Sequence, residues 1–301
     1  MKTEVCRRQL NYIFVLLCII CAFFLWSDPP KNVFSLQSRS RPVVILLCAD
    51  VNIEVVNLLN SFIRQGLDAH VIPDTEIVSS VHVHYLPTHY VQTSGYSLLN
   101  PNMESNVSAW DRGILWTTSY LAETGNTFAW FIELDVWLAD KQALSDLIRH
   151  FEASPCDLIA ADVLSRGPGV DDWYWWYDHR VSEARGASGD LMLPRKSPFH
   201  TNGAPLIATF NVLSRLSSRL LHEIARVAAR EGRLIIHEAL FPSLVRARER
   251  EGWSLTWFAL PWVNIRWRPE FTEEEAREGV REQGWRIIHP VKEAWHIDSP
   301  P

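Results

Sequence analysis

The sequence predicts an α/β fold, a mostly parallel sheet flanked by helices on both faces. Three observations carry this. The globular part opens with strand, helix and strand in "RPVVILLCAD", "NIEVVNLLNSFIRQG" and "LDAHVIPD", and a crossover helix between two strands is what parallel pairing requires. Apolar strand-like runs and helical periods then alternate to the C-terminus, the pattern that lays helices on a central sheet. Finally, 301 residues at 47% hydrophobic content can fill one large core, and no internal repeat or composition shift forces a second domain.

The elements follow in order. "RPVVILLCAD" is a continuous apolar strand, and the helix after it spaces Val55, Leu58, Leu59 and Phe62 on one face before Gly66. No G-x-G-x-x-G joins the two, which disfavours a dinucleotide site. "SVHVHYLP" alternates Val81, Val83 and Tyr85 with His82 and His84, the pattern of a half-exposed strand. "SAWDRGILWTTSYLAETG" reads as an amphipathic helix stopped by Gly125, and "FAWFIELDVWLAD" as the next strand. "KQALSDLIRHFEAS" is a helix and "CDLIAADV" a strand. A polar, Gly-containing loop runs to about Gly203. "APLIATFNVLSRLSSRLLHEIARVAAREG" reads as a strand entering a helix that ends at Gly232, with Arg215 and Arg219 on a solvated helical face. "HEALFPSLVRARERE" is a helix and "LTWFALP" a strand, and "GWRIIHPVKEAWHI" closes the chain.

Ahead of the globular part, "YIFVLLCIICAFFLW" gives an apolar run from Leu10 to Trp26, long enough at about 17 residues to span a thin membrane. It ends in Phe23, Phe24, Leu25 and Trp26 rather than in small residues, so it reads as an uncleaved signal anchor. Lys2, Arg7 and Arg8 before it favour a cytosolic N-terminus, although Lys31, Arg39 and Arg41 follow it. The expected organisation is a tail at 1–9, a transmembrane helix at 10–26, a stem at 27–41 and a luminal domain at 42–301. Asn106-Val107-Ser108 is a glycosylation sequon. Two cysteines, Cys48 and Cys156, remain for the globular part, too few for a disulfide scaffold. Net charge is −6 with no basic block, which excludes nucleic acid as the expected partner.

The chemistry concentrates in "FIELDV". In a strand, residues two apart share a face, so Glu133 and Asp135 would present two carboxylates together at a strand's C-terminal end. Open parallel sheets bind ligands there. Close carboxylates repel unless a cation or proton intervenes, and oxygen ligands suit Mg²⁺ or Mn²⁺. A pair of strand-end acids bonded to Arg, Lys or backbone amides is the structural alternative.

An apolar strand running into "ELD", preceded by the helix "WDRGILWTTSYL", resembles the DXD region of GT-A-fold glycosyltransferases. The order of elements, a strand–helix–strand unit, the acidic strand and then an acceptor half, is similar as well, and anchor, stem and luminal domain are the usual layout of Golgi members. Glu133 stands where the family's first Asp usually does. The resemblance implies a GT-A-like, Rossmann-type sheet and a Mn²⁺ (or Mg²⁺) ion bridging the diphosphate of a UDP- or GDP-sugar. It further implies a glycan, glycoprotein or glycolipid acceptor, and a Golgi or ER membrane placement of single-pass type II with the catalytic domain luminal. Asp135 would bind the metal directly, and Glu133 through water or by way of the ribose. His289 in "RIIHPVK" would complete the shell, with Lys292 pairing the diphosphate.

By the same similarity, Glu238 in "IHEALFPSL" is the candidate base for the acceptor hydroxyl; otherwise it is a first-turn helix acid. Asp111 and Arg112, beside the nucleoside in similar enzymes, join Asp50 and Asp74 at the first two strand ends as nucleotide-sugar contacts; strand-end acids also cap helices. Trp173, Trp175 and Trp176 lie among five successive aromatics, which cannot all face one core, and form a candidate acceptor platform. A non-catalytic carbohydrate-binding or scaffold protein on the same fold, and a nucleotidyltransferase, are the alternatives. A glycosidase is disfavoured because its two carboxylates stand farther apart.

Overall fold

The computed structural model describes residues 41–97, 107–161, 163–165, 207–232, 234–266 and 270–291. The anchor, the stem, Asn106, the three tryptophans of the proposed platform and Lys292 lie outside the described residues. Among those described, no helix is long and apolar enough to cross a membrane.

A six-stranded sheet forms the centre. Its strands are β1 (Val43–Cys48), β2 (Asp68–Pro73), β3 (Phe128–Glu133), β5 (Leu158–Ala160), β8 (Leu213–Ser217) and β9 (Leu255–Trp257), in the spatial order β2-β1-β3-β8-β5-β9. β1 pairs parallel with both β2 and β3, and β5 with β9; β8 runs antiparallel to β3 and β5. The sheet is therefore mostly parallel, with one reversed strand. Every residue of β1 is buried, as a central strand covered on both faces must be.

Two hydrophobic clusters divide the faces. One packs Ile45, Leu47 and Phe131 under the helices Ala109–Thr124 (α3), Ser218–Glu231 (α5) and His237–Ala247 (α6). The other packs Val44, Leu46 and Ile132 against Ile53–Arg64 (α1) and Ala143–His150 (α4). Helix α3 lies close on β1, because a Cβ at Gly113 would meet Leu47 Cδ2 at 2.8 Å. Ser108 and Asp111 form a capping box at its start, and Gly125 ends it at φ 71°, a conformation that costs glycine little.

A smaller sheet joins Val263–Ile265 (β10), Ile287–His289 (β11) and Trp137–Leu138 (β4), in that order. A third pairs Val163–Ser165 (β6) with Ile207–Thr209 (β7). Two short helices, Thr88–Thr93 (α2) and Glu273–Glu278 (α7), lie outside these sheets, the second running into a π-helical turn at Gly279–Gln283.

Three sequence expectations change. "SVHVHYLP" forms only an isolated bridge, Val71 to Val83, held by Val71 N–H to the His82 carbonyl (2.8 Å) and His84 N–H to the Val71 carbonyl (2.9 Å). Pro87 and the helix after it cut the pairing short. Arg215 sits in β8 rather than on a solvated helix, 2% exposed, its guanidinium donating to the Phe151, Ser154 and Cys156 carbonyls. Third, Asp135 is not in a strand: β3 ends at Glu133, and Leu134–Asp135 form a turn. Cys48 and Cys156 are both free thiols.

Candidate active site

The end of β3 is fixed by its neighbours. Glu133 lies in register with Leu47 of β1, and its N–H donates to the Val212 carbonyl at 2.8 Å. The turn after Glu133 leads straight into β4, which pairs antiparallel with β11, Leu138 opposite Ile287 and Trp137 opposite Ile288. That register carries the last residue of β11, His289, alongside the turn. Val291 N–H donates to the Asp135 carbonyl at 3.0 Å and locks the two segments together.

One ligating atom each from Glu133, Asp135 and His289 therefore lie within 4.8 Å of one another. His289 Nε2 stands 3.3 Å from Asp135 Oδ1. Asp135 Oδ1 and His289 Nδ1 are both buried without a hydrogen-bond partner. The three residues thus form a candidate metal-binding triad, and the donor set, two carboxylates and one imidazole, fits a divalent cation. A cleft of about 370 Å³ opens beside them, lined among others by Leu47, Cys48, Asp74, Trp110, Glu133 and Asp135. It spans the C-terminal ends of β1, β2 and β3, where ligands of open α/β sheets bind.

The site carries more negative charge than its neighbours offset. Burial and the charge of Asp135 push the Glu133 carboxyl up to about 7, against the pull of a Trp110 hydrogen bond and His289. Glu238 is 3% exposed, and its Oε2 has no partner. Burial, then the charge of Glu133, hold its carboxyl well above the usual carboxylate range. Asp74 is raised to about 6 by burial, partly offset by Arg112 at 3.5 Å. Cys48 reaches about 12 for the same first reason, burial.

The remaining candidates divide. Glu238 sits in the first turn of α6 and within electrostatic reach of Glu133. Asp74 lines the cleft. Asp50, at the end of β1, accepts from Thr75 Oγ1 at 2.6 Å on the exposed rim. Asp111 accepts from the N–H and hydroxyl of Ser108, both at 2.8 Å, within its own helix cap. Arg112 is buried, donating to the Leu86 carbonyl, the Val107 carbonyl and Thr88 Oγ1, and reaches the cleft through Asp74. From the stretch "WDRG", the residue that touches the acidic site is Trp110, whose indole N–H donates to Glu133 Oε1. Sequence reasoning passed over it because an indole on an apolar helix face reads as core.

No protein-family model matches the sequence, and no curated protein does. Among solved structures, the chain is similar to a glycosyltransferase involved in the glycosylation of the major capsid of PBCV-1. That likeness covers 84% of this chain and 95% of the other at 9% identity, with a TM-score of 0.37. A likeness at that level carries no functional argument.

Proposed function

We propose that this chain is a metal-dependent glycosyltransferase that moves a sugar from a nucleotide diphosphate donor to a hydroxyl of a glycan, protein or lipid. The observation behind the reading is the convergence of Glu133, Asp135 and His289, with Asp135 Oδ1 and His289 Nδ1 buried and without hydrogen bonds, at the cleft on the sheet's C-terminal edge. Buried carboxylates without counter-charge are costly, and a divalent cation would offset that cost while leaving coordination positions open for a diphosphate.

Asp135, His289 and Glu133 would hold the cation, which when bound supplies Lewis-acid stabilisation to a departing diphosphate. Asp74, two strands from Glu133, is within reach of the nucleoside end of the same ligand. Glu238, buried and without a hydrogen bond on Oε2, is once ionised a stronger base than a solvated carboxylate, and from that state it takes the acceptor hydroxyl's proton in this reading. The membrane anchor and luminal placement belong to the proposal too, and are supported by the N-terminal sequence alone. A non-catalytic sugar-binding module on the same fold is the second reading.

The test is calorimetric titration of UDP and GDP into the full-length chain, with and without Mn²⁺, beside Asp135→Ala. Binding that needs both Mn²⁺ and Asp135 supports the transferase and identifies the nucleotide. A folded chain that binds neither nucleotide favours the non-catalytic module.

A further inference from the structure

Trp110 stands in the first turn of α3, 2% exposed. Its ring is held between β3 and α6. On one side it stacks on Phe131 of β3, with centroids 5.5 Å apart and planes at 22°. On the other it stacks on His237 at 4.2 Å and 18°, while Phe241 of α6 meets it edge-on. His237 is fixed in turn, because Asn211 Nδ2 donates to its carbonyl at 3.0 Å and Thr209 Oγ1 holds Asn211 Oδ1 at 2.7 Å. An indole so confined has one polar group, a donor, and here that donor is directed onto Glu133 Oε1.

Outer-shell donors of this kind set which oxygen of a ligating carboxylate faces the metal. We infer that Trp110 is a positioning residue: its N–H fixes the Glu133 carboxylate toward Asp135 and His289, and its ring ties that geometry to the segment carrying Glu238. The inference rests on the metal reading proposed above. It adds a single residue through which the two halves of the site are aligned, the acidic turn after β3 on one side and α6 on the other. A purely structural indole would contribute packing to the apo protein and nothing to metal affinity.

Trp110→Phe keeps the ring contacts and removes the donor. In the full-length chain, Mn²⁺ affinity is measured by calorimetry, and the rise in Tm caused by a fixed Mn²⁺ concentration by thermal unfolding. The expected result is a Kd about 10- to 100-fold weaker than wild type, with a correspondingly smaller Mn²⁺-dependent rise in Tm. A Kd within about twofold of wild type, together with a lower apo Tm, overturns the positioning role, since packing alone moves the apo state and leaves the metal increment unchanged. Wild type that binds no Mn²⁺ overturns the metal reading itself, a separate result. If Trp110→Phe does not fold, a benzothiophene analogue of tryptophan at position 110, matched in shape but lacking the N–H, gives the same comparison.

Discussion

Two buried acidic regions of this molecule use the same side-chain chemistry in opposite ways. Asp157, beside β5, is 2% exposed and fully partnered. Ser217 Oγ and Arg219 Nε each donate to it at 2.8 Å, Arg219 Nη2 donates as well, and Ser254 N–H donates at 3.1 Å. Glu238 is as deeply buried, yet its Oε2 has no partner, and Asp135 Oδ1 accepts no hydrogen bond and has only the His289 ring beside it at 3.3 Å. The first arrangement lowers the energy of the folded chain. The second leaves electrostatic energy unresolved, and such unresolved energy collects where a ligand is to be bound. Burial alone therefore does not separate a structural acid from a functional one, whereas the census of partners does.

The contrast can be broken in several ways. The largest expected effect is at Glu238. Glu238→Gln should lower sugar transfer about 100- to 10,000-fold, the usual contribution of a general base, while Tm holds or rises because an isosteric neutral amide removes a repelled acid. A fall in Tm with transfer intact would make Glu238 structural. Next comes Asp135→Ala, which should weaken Mn²⁺ binding by more than the roughly hundredfold effect of losing an outer-shell partner, again without loss of apo Tm. Asp157→Ala should do the reverse. It strands Arg219 and two other donors at a cost of about 3 kcal/mol, the low end for a buried pair because Arg219 is 47% exposed. At roughly 2–4 °C per kcal/mol for a chain of this size, Tm drops clearly while Mn²⁺ affinity stays unchanged. Equal stability losses at Asp135 and Asp157 would erase the distinction.

The smallest effect is expected at the edge of β2. His70 Nδ1 meets His84 Nε2 at 3.1 Å, and His70 Nε2 meets Asp68 Oδ1 at 3.1 Å. Burial, then the neighbouring His70 and His82, lower His84 from 6.5 to about 4. In that interval the unfolded chain takes up a proton that folded His84 refuses, so stability is full above 6.5 and falls as pH drops toward 4. Denaturant unfolding at several pH values should show this slope, and His84→Gln should flatten it. An unchanged slope would show that the cluster does not hold His84 neutral.

Much of the fold was legible because its signals are local. β1 reads as an unbroken apolar run and is buried at all six positions. Helix α3 carries its own start in Ser108 and Asp111 and its own stop in Gly125. Where a pattern depended on distant partners it misled: the alternation around Val83 yielded one bridge, and Arg215 follows a strand rather than a helical face. Glu133 and Asp135 were visible as acids out of place, but their shared face comes from a turn, not from strand alternation.

Sequence by itself determined the α/β class, the first crossover, the helix stops at Gly125 and Gly232 and the position of the acidic break after β3. Each depends on residues a few places apart, whose periodicity and caps are set before any tertiary contact forms. Only the tertiary structure decided what surrounds that break. His289 reaches Asp135 through the β4–β11 register, Trp110 reaches Glu133 across the packing of α3 on the sheet, and Glu238 lies buried within electrostatic reach of Glu133. The contacts of His289 and Trp110 join segments far apart in the chain, and side-chain packing of whole elements, not local propensity, fixes which atoms meet.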